Sequence, residues 1–298
     1  MKKILCMLLA LTMLFALCAC GGNTEPKEDA SPETDAVTNA AADTDASAEY
    51  VFLDETLGVE TYAIGFRLDD QELADQVSGA VKALVVDGTF EKIASKEAYA
   101  DIKPFLCLKA EDFAGETLPE RGSGDPNFTF KQGYDQDYPP YAYMLDDGTY
   151  GGFDIDVCKA VCEYLGWGYE GVPFNWDFKD QELNAKSCDC IWSGMTKEGR
   201  EDKYAWGITY SNNTQGVLVA ADSGITTLAD LEGKLVGVQI GTSAAEMLEG
   251  DQADLAATFG ELKTYETYNV AFNDLKAGAI DAVAIDMTTG AYLVSSAS

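Results

Sequence analysis

Residues 133–166 read GYDQDYPPYAYMLDDGTYGGFDIDVCKAVCEYLG, and they combine the end of a strand with a complete helix. We predict a strand at 128–133, one of the short β-rich runs of the chain. Gly152-Phe153-Asp154 then opens a helix whose apolar side chains share one face, and Gly166 ends it. Short β-rich runs alternate with helical patterns along the rest of the chain, which predicts an α/β fold.

The other elements follow from similar patterns. We predict a helix that Asp69 or Asp70 caps, a start of the second half of the fold at 217–221, and capping boxes at Thr227–Asp230 and Ser243–Glu246. The remaining predicted elements are strands at 62–67, 188–192, 234–240 and 280–285 and a helix at 267–277.

Composition excludes several classes of protein. The formal net charge is -31, which is unfavourable for binding nucleic acid or anionic lipid, since both require basic patches. The chain contains no histidine, so Ser-His-Asp triads, Cys-His pairs and histidine metal sites are excluded.

The amino terminus predicts export and a lipid anchor. Lys2 and Lys3 precede an apolar run at 4–15 that is too short to span a membrane stably. Small residues before Cys20 resemble a lipobox, so we predict a signal peptide at 1–19 and lipidation of Cys20; a plain secretory signal is the alternative. Residues 20–48 are acidic and nearly devoid of large apolar side chains, which predicts a disordered linker.

Three stretches together resemble one protein family. Residues 50–93 are similar to the closing stretch, and residues 133–166 to the opening stretch, of bacterial solute-binding family 3, the polar-amino-acid-binding proteins of ABC importers. Residues 176–202, WDFKDQELNAKSCDCIWSGMTKEGRED, resemble a clostridial-type branch. The resemblance implies a two-lobe, type II periplasmic-binding-protein-like fold. Because the closing stretch comes first and the sequence stops at Ser298, we predict a circular permutation.

The resemblance also implies the domain organisation. Two crossovers, at 58–62 and 212–216, would form the hinge. Lobe 1 would contain 62–100, the C-terminal part of the usual fold, then a joining segment at 101–126 and the rest of the lobe at 127–212. Lobe 2 would contain 217–298 and the returning strand 50–57.

A free amino acid carries a carboxylate and an ammonium on one carbon, and the resemblance supplies candidates for both. Arg200 would clamp the carboxylate, because its planar fork binds both oxygens. Ser193, Gly194 and Thr196 precede it at a predicted helix start, where free backbone N–H groups favour an anion. The alternative is a surface arginine paired with a neighbouring acid.

Both lobes supply further candidates. Asp286 would accept the ammonium and Asp135 could share that role, although either could be an ordinary strand-end aspartate. Thr242 would reach the carboxylate from lobe 2, or serve only as a helix N-cap. Tyr138 and Trp176 match the aromatic positions that sandwich the ligand side chain. Gln239 stands where some relatives carry a basic residue, which leaves the side-chain specificity open.

Four cysteines form two pairs by spacing. Cys158 and Cys162 share a helix face, and Cys188 and Cys190 share a strand face. Buried thiols are the preferred interpretation, followed by a disulfide and then by a metal site.

The predicted function is the capture of a free, polar amino acid by hinge closure, for delivery to an ABC permease. The resemblance implies a lipid-anchored, extracytoplasmic monomer without cofactor, metal or catalytic activity. The alternatives are a cyclohexadienyl-dehydratase-like enzyme on the same fold and a small-molecule sensor.

Overall fold

The computed structural model describes residues 49–297. The predicted signal peptide 1–19, Cys20 and the linker to residue 48 lie outside the described residues. Within the described range, no helix combines the length and the apolar character that crossing a membrane requires.

Strands and helices alternate along the described chain, which confirms the predicted α/β class. The strands are β1 (Tyr50–Phe52), β2 (Gly58–Phe66), β3 (Thr129–Asp135), β4 (Asp137–Tyr138), β5 (Ala142–Met144), β6 (Tyr150–Gly151), β7 (Gly168–Phe174), β8 (Cys190–Ile191), β9 (Ala205–Ala220), β10 (Leu235–Gln239), β11 (Glu261–Tyr265) and β12 (Ala282–Asp286). The α-helices are α1 (Gln71–Val86), α2 (Thr89–Ala94), α3 (Phe153–Leu165), α4 (Lys179–Asn184), α5 (Ser243–Glu249), α6 (Ala253–Ala256), α7 (Tyr268–Lys276) and α8 (Met287–Ala297).

One curled sheet runs through the described chain in the order β11-β10-β12-β9-β2-β8-β3-β7, and β1 pairs with β9 from outside this path. The first half of the sheet consists of β2, β3, β7 and β8, and the second half of β1, β10, β11 and β12. Strand β9 belongs to both halves, since it pairs antiparallel with β2 over 205–215 and with β12 over 215–219. The two long strands β2 and β9 therefore connect the halves.

The carboxyl ends of the parallel strands lie at the junction of the two halves. Strand β3 is parallel to β7 and β8, and β10 is parallel to β11 and β12. Ligands of α/β sheets bind beyond the carboxyl ends of such strands. Asp135, Gln239 and Asp286 are the last residues of β3, β10 and β12, so they lie at the junction of the two halves.

Helices α1 and α3 cover the first half with the faces that their sequences predict. Val77, Val81 and Leu84 of α1 and Val161 and Leu165 of α3 are buried in one apolar cluster. A separate cluster fills the second half between β10, β12 and α5. The first cluster also contains residues of the second half, among them Phe272 of α7, Val283 of β12 and Leu293 of α8, so one apolar core continues across both halves.

Several predicted elements differ in extent. Residues 217–221 do not begin a new strand, because β9 continues without interruption from 205. The predicted strand 188–192 is reduced to Cys190 and Ile191, although Asp189 and Trp192 still donate backbone hydrogen bonds to β3. The cap of α1 is Asp70, but its carboxylate contacts Arg67 at 2.5 Å and makes no capping hydrogen bond.

Three predictions about helix starts have different outcomes. The capping box at Thr227–Asp230 is present, at a 3-10 helix over Leu228–Leu231. The capping box predicted at Ser243 is wrong, because Thr242 is the N-cap of α5 and accepts from the backbone N–H of Ala245. The helix start predicted after Thr196 is also wrong, since residues 192–204 contain turns and no helix.

Candidate functional site

The ten predicted site residues line one small cavity of about 20 Å³ at the junction of the two halves. They are Asp135, Tyr138, Trp176, Ser193, Gly194, Thr196, Arg200, Gln239, Thr242 and Asp286. Ser243 lines the same cavity and was not predicted. A larger, open groove of about 630 Å³ lies between the 137–147 hairpin and helices α7 and α8, and it contains none of the ten. The larger groove therefore contains none of the predicted binding residues, and the polar side chains that converge on one point line the small cavity.

Arg200 is buried, with 2% of its surface exposed, so it is not the surface arginine of the alternative interpretation. Its Nη2 lies 3.0 Å from Oε2 of Glu246 and 3.5 Å from the carbonyl oxygen of Gly241, both in the second half. Its Nη1 donates to the carbonyl oxygen of Thr196 at 3.4 Å. The guanidinium is thus aimed across the junction.

Asp286 is buried within a network of donors. Its Oδ1 accepts from the hydroxyl of Tyr62 at 2.5 Å and from the side-chain amides of Asn213 and Gln215. The same two amides donate to Oε1 of Glu60, at 2.7 and 2.8 Å. Burial, and then the nearby Asp286 carboxylate, raise the pKa of Glu60 to about 7. Two carboxyl groups therefore share two amide donors, and a cation placed beside them would be stabilised.

Asp135 and Gln239 form a hydrogen bond across the junction. The amide Nε2 of Gln239 donates to Oδ2 of Asp135 at 2.7 Å, and its Oε1 accepts from the backbone N–H of Tyr268 at 3.2 Å. Oδ1 of Asp135 accepts from the backbone N–H of Asp137 at 3.0 Å. Burial raises the pKa of Asp135 to about 7. This pair fixes one wall of the cavity.

Tyr138 and Trp176 are both buried, but they make different contacts. Tyr138 stacks on Tyr141, with ring centroids 5.3 Å apart, and its hydroxyl is 2.8 Å from that of Tyr62. Trp176 donates from Nε1 to the carbonyl oxygen of Gly241 at 2.9 Å. Lys179 donates to the same oxygen at 3.0 Å. Three donors of the first half, counting Arg200, thus converge on one carbonyl of the second half.

The loop 193–196 lines the cavity, but one of its backbone N–H groups is already hydrogen-bonded to a side chain of α3. The N–H of Gly194 donates to Oδ2 of Asp154 at 2.8 Å, so this group is already hydrogen-bonded within the first half. Gly194 has φ 54° and lies so close to Tyr138 that a Cβ would be 2.5 Å from its ring. Asp154, buried at the start of α3, therefore positions the loop.

Thr242 performs the capping role and also lines the cavity. Its Oγ1 donates to the carbonyl oxygen of Gln239 at 2.7 Å and accepts from the N–H of Ala245 at 3.3 Å. The next residue, Ser243, accepts from Thr196 at 3.2 Å and from Gln215 at 3.0 Å. Both hydroxyls stand at the amino-terminal end of α5, where partial positive charge favours an anion.

The residues that the sequence did not reveal surround the predicted ones. Tyr62, Glu60, Asn213 and Gln215 lie on the long strands β2 and β9, and Ser243 follows the predicted Thr242. The only signal for the first four is their placement in the predicted crossovers, which set them in the hinge. Strand register, and not local spacing, brings them to Asp286.

Cys158, Cys162, Cys188 and Cys190 are buried free thiols, which agrees with the preferred interpretation. Burial raises the pKa of Cys188 to about 12 and that of Cys190 well above its usual range, so both thiols are unreactive. Within residues 49–297, no group of three or more potential ligand side chains is placed to hold a metal ion.

The chain is similar to known binding proteins over much of its length. Residues 130–278 match the model of the bacterial extracellular solute-binding proteins, family 3. The chain is 29% identical to the L-cystine-binding protein TcyJ of Escherichia coli over 63% of its own length and 69% of that protein. It is 30% identical to the L-arginine-binding protein of Pseudomonas aeruginosa over 62% and 70% of the two chains.

A solved structure supports the same relationship. The structure of an ABC uptake transporter substrate binding protein from Streptococcus pneumoniae with bound histidine superposes with a TM-score of 0.55 at 34% identity, over 57% of this chain and 70% of that one. The α/β sheet, the cavity between its halves and these matches agree, and the chain belongs to family 3 of the bacterial extracellular solute-binding proteins.

Proposed function

We propose that this protein is the extracytoplasmic substrate-binding component of an amino-acid ABC importer. One observation carries the proposal: a buried guanidinium, Arg200, and a buried carboxylate, Asp286, line the same small cavity between two halves of the molecule. These two groups complement the carboxylate and the ammonium of a free amino acid. The named relatives bind cystine, arginine and histidine, all of which carry that pair of charges.

The ten predicted residues of the cavity divide into three proposed roles. Arg200 binds the ligand carboxylate, assisted by the hydroxyls of Thr196 and Thr242, and Ser193 and Gly194 shape the loop beside it. Asp286 accepts the ammonium. The remaining wall, which faces the ligand side chain, consists of Asp135, Tyr138, Trp176 and Gln239.

Capture occurs by closure of the two halves around the ligand. Hydrogen bonds already cross the junction from Trp176, Lys179 and Arg200 to Gly241, and from Gln239 to Asp135. A ligand that contacts Arg200 in one half and Asp286 in the other favours the closed state, because it binds that state better.

The proposal is tested by thermal-shift measurements on the purified protein with the common amino acids and prephenate. A ligand at 100 times its dissociation constant stabilises the folded state by about 2.7 kcal/mol. We expect at least one amino acid to raise the melting temperature and prephenate to have no effect. A response to prephenate with its turnover, and to no amino acid, would instead favour the enzyme.

We propose further that the chain is a circular permutant with the lobe boundaries given above. Strand β2 precedes the family match at 130–278, yet it pairs with β9 in the middle of the sheet. Strand β1 also pairs with β9, and the ring of Phe52 lies against Gly290 of α8. Residues 50–93 thus occupy a place that a segment following α8 could fill.

The joining segment 101–126 supports the same proposal. Leu106 bridges to Ser211 of β9, and the backbone N–H groups of Gly122 and Gly124 donate to the end of α3. A variant in which 127–297 is followed by 49–100 tests it. We expect this variant to melt cooperatively and to bind the same ligand; failure to fold, in soluble and refolded preparations alike, would contradict the proposed order.

Membrane attachment through Cys20, delivery to permease subunits and a monomeric state complete the proposal. The Cys20→Ser variant should move from the membrane fraction to the soluble fraction. If the variant stays membrane-bound, Cys20 is not the anchor. Sedimentation of the soluble variant should give the mass of one chain.

A further inference from the structure

We propose that the site selects an amino acid with a small side chain, of the size of glycine, alanine or serine, and that the Asp135–Gln239 pair sets this limit. The inference rests on the proposed function, since it concerns the ligand of that same cavity. It goes beyond that function because it excludes most amino acids.

The orientation of the ligand identifies the wall that its side chain meets. The α-carbon carries a carboxylate, an ammonium and a side chain. If Arg200 holds the first and Asp286 the second, the side chain faces the other cavity residues. Among these, Asp135 and Gln239 are joined by the 2.7 Å hydrogen bond that closes the junction.

Backbone hydrogen bonds fix both residues of that wall, Gln239 and Asp135. Gln239 is fully buried, and its carbonyl is fixed by the N–H of Tyr268 at the start of α7. Asp135 has 2% of its surface exposed, and its second oxygen is fixed by the N–H of Asp137. A long ligand side chain would have to separate the pair and leave a buried amide and a buried carboxyl without their partners, which is unfavourable.

The small volume of the cavity also favours a small ligand side chain. About 20 Å³ is space for roughly one or two water-sized groups. A ligand with little beyond its α-carbon needs a small further opening of the halves. A guanidinium or imidazole side chain needs the wall itself to move, and the bonds from Trp176 and Lys179 to Gly241 oppose that movement.

The first test is the ligand profile of the wild-type full chain, measured by thermal shift with glycine, alanine, serine, glutamine, histidine and arginine. At 100 times the dissociation constant we expect a rise of about 5–10 °C for a small amino acid. We expect no rise for histidine or arginine at the same concentration. A response to arginine or histidine with none to the small amino acids overturns this inference and leaves the proposed function intact. No response to any amino acid contradicts the proposed function itself.

The second test removes the wall with Gln239→Ala. We expect glutamine or histidine to gain at least about tenfold in affinity, while glycine changes by less. Gln132→Ala is the matched control: Gln132 is equally buried, its Nε2 donates to the carbonyl oxygen of Trp192 and its Oε1 accepts from Tyr169, but it lies outside the cavity. The control should lower stability without changing the ligand profile.

An unchanged preference in Gln239→Ala would show that this pair does not set the limit. If that variant fails to fold, Gln239→Ser serves instead, since it keeps a polar group and still shortens the wall. Either variant must widen the range of ligands for the inference to stand.

Discussion

At the scale of single residues, the pair Glu60 and Asp286 is the least expected part of the site. Two carboxyl groups at the hinge share the amides of Asn213 and Gln215, and the second oxygen of Glu60 is buried without a hydrogen-bond partner. Burial, and then the nearby Asp286 carboxylate, favour the protonated form of Glu60 because both raise its pKa.

This pair makes stability depend on pH. The pKa of Glu60 is about 7 in the folded protein and about 4.3 in an unfolded chain. The folded state therefore holds the proton more tightly, so its contribution to stability is complete below about pH 4.3 and is lost as pH rises through 7. We expect Glu60→Gln to gain stability relative to wild type between pH 5 and pH 8, by about 2–3 kcal/mol.

Denaturant unfolding of both proteins across this pH range measures the difference. The exposed Glu201→Gln is the control and should follow the wild type. Asp135 and Asp154, whose pKa values burial raises to about 7, contribute with the same sign and remain in both proteins. An identical pH profile for Glu60→Gln and wild type contradicts the assignment.

Arg200 gives the sharpest prediction for binding. We expect Arg200→Ala to lose about 2–5 kcal/mol of ligand binding, because a desolvated charge–charge contact disappears. Arg200→Lys should recover only part, since an ammonium cannot bind two carboxylate oxygens in one plane. Arg121→Ala, at an exposed ion pair with Asp87, is the control. Titration calorimetry with the identified amino acid measures all three, and an unchanged affinity in Arg200→Ala contradicts the clamp.

At the scale of elements, the amino-terminal end of α5 combines a structural and a binding role. Thr242→Ala should lower stability by about 1 kcal/mol through loss of the cap, and it should also weaken ligand binding. Thr227→Ala removes a cap in the same half of the sheet but away from the cavity. It should lower the melting temperature by a similar 2–4 °C and leave the affinity unchanged. Equal affinities for the two variants would mean that Thr242 serves only as a cap.

The sequence predicted some elements well for a physical reason. Helix α3 carries its apolar side chains on one face and ends at Gly166, whose φ of 80° suits glycine, so local information determines it. Strand β9 was predicted only in part, because its sixteen residues cross both halves and change neighbours midway.

The candidate site shows the same division. Arg200, Asp286 and the aromatic residues could be predicted because each lies in a short stretch that resembles the family. The donors around Asp286 come from β2 and β9, more than seventy residues away in sequence, and only the pairing of these strands brings them together. Long-range register is the information that a local pattern lacks.

At the scale of the whole molecule, closure depends on the donors that meet at the carbonyl of Gly241. Trp176→Phe keeps an aromatic ring, although a smaller one, and removes one of these hydrogen bonds across the junction. We expect the affinity to fall by about 0.5–1.5 kcal/mol and the ligand-free protein to become more open by small-angle scattering. Trp167→Phe, in an aromatic cluster of the first half, is the control. The same affinity and the same radius of gyration in both variants would remove Trp176 from the closing contacts.

The ladder between β2 and β9 has a mechanical consequence. The two strands pair from Gly58–Gln215 to Phe66–Ala205, with irregular register between Tyr62 and Gly65. Because β2 and β9 are hydrogen-bonded to each other along this length, we expect a force on one half to be transmitted to the other. We expect bending to concentrate where the register is irregular, since a bulge locally disrupts the hydrogen-bond ladder. We therefore expect the two halves to open by bending of the paired strands about residues 62–65, next to the predicted crossovers.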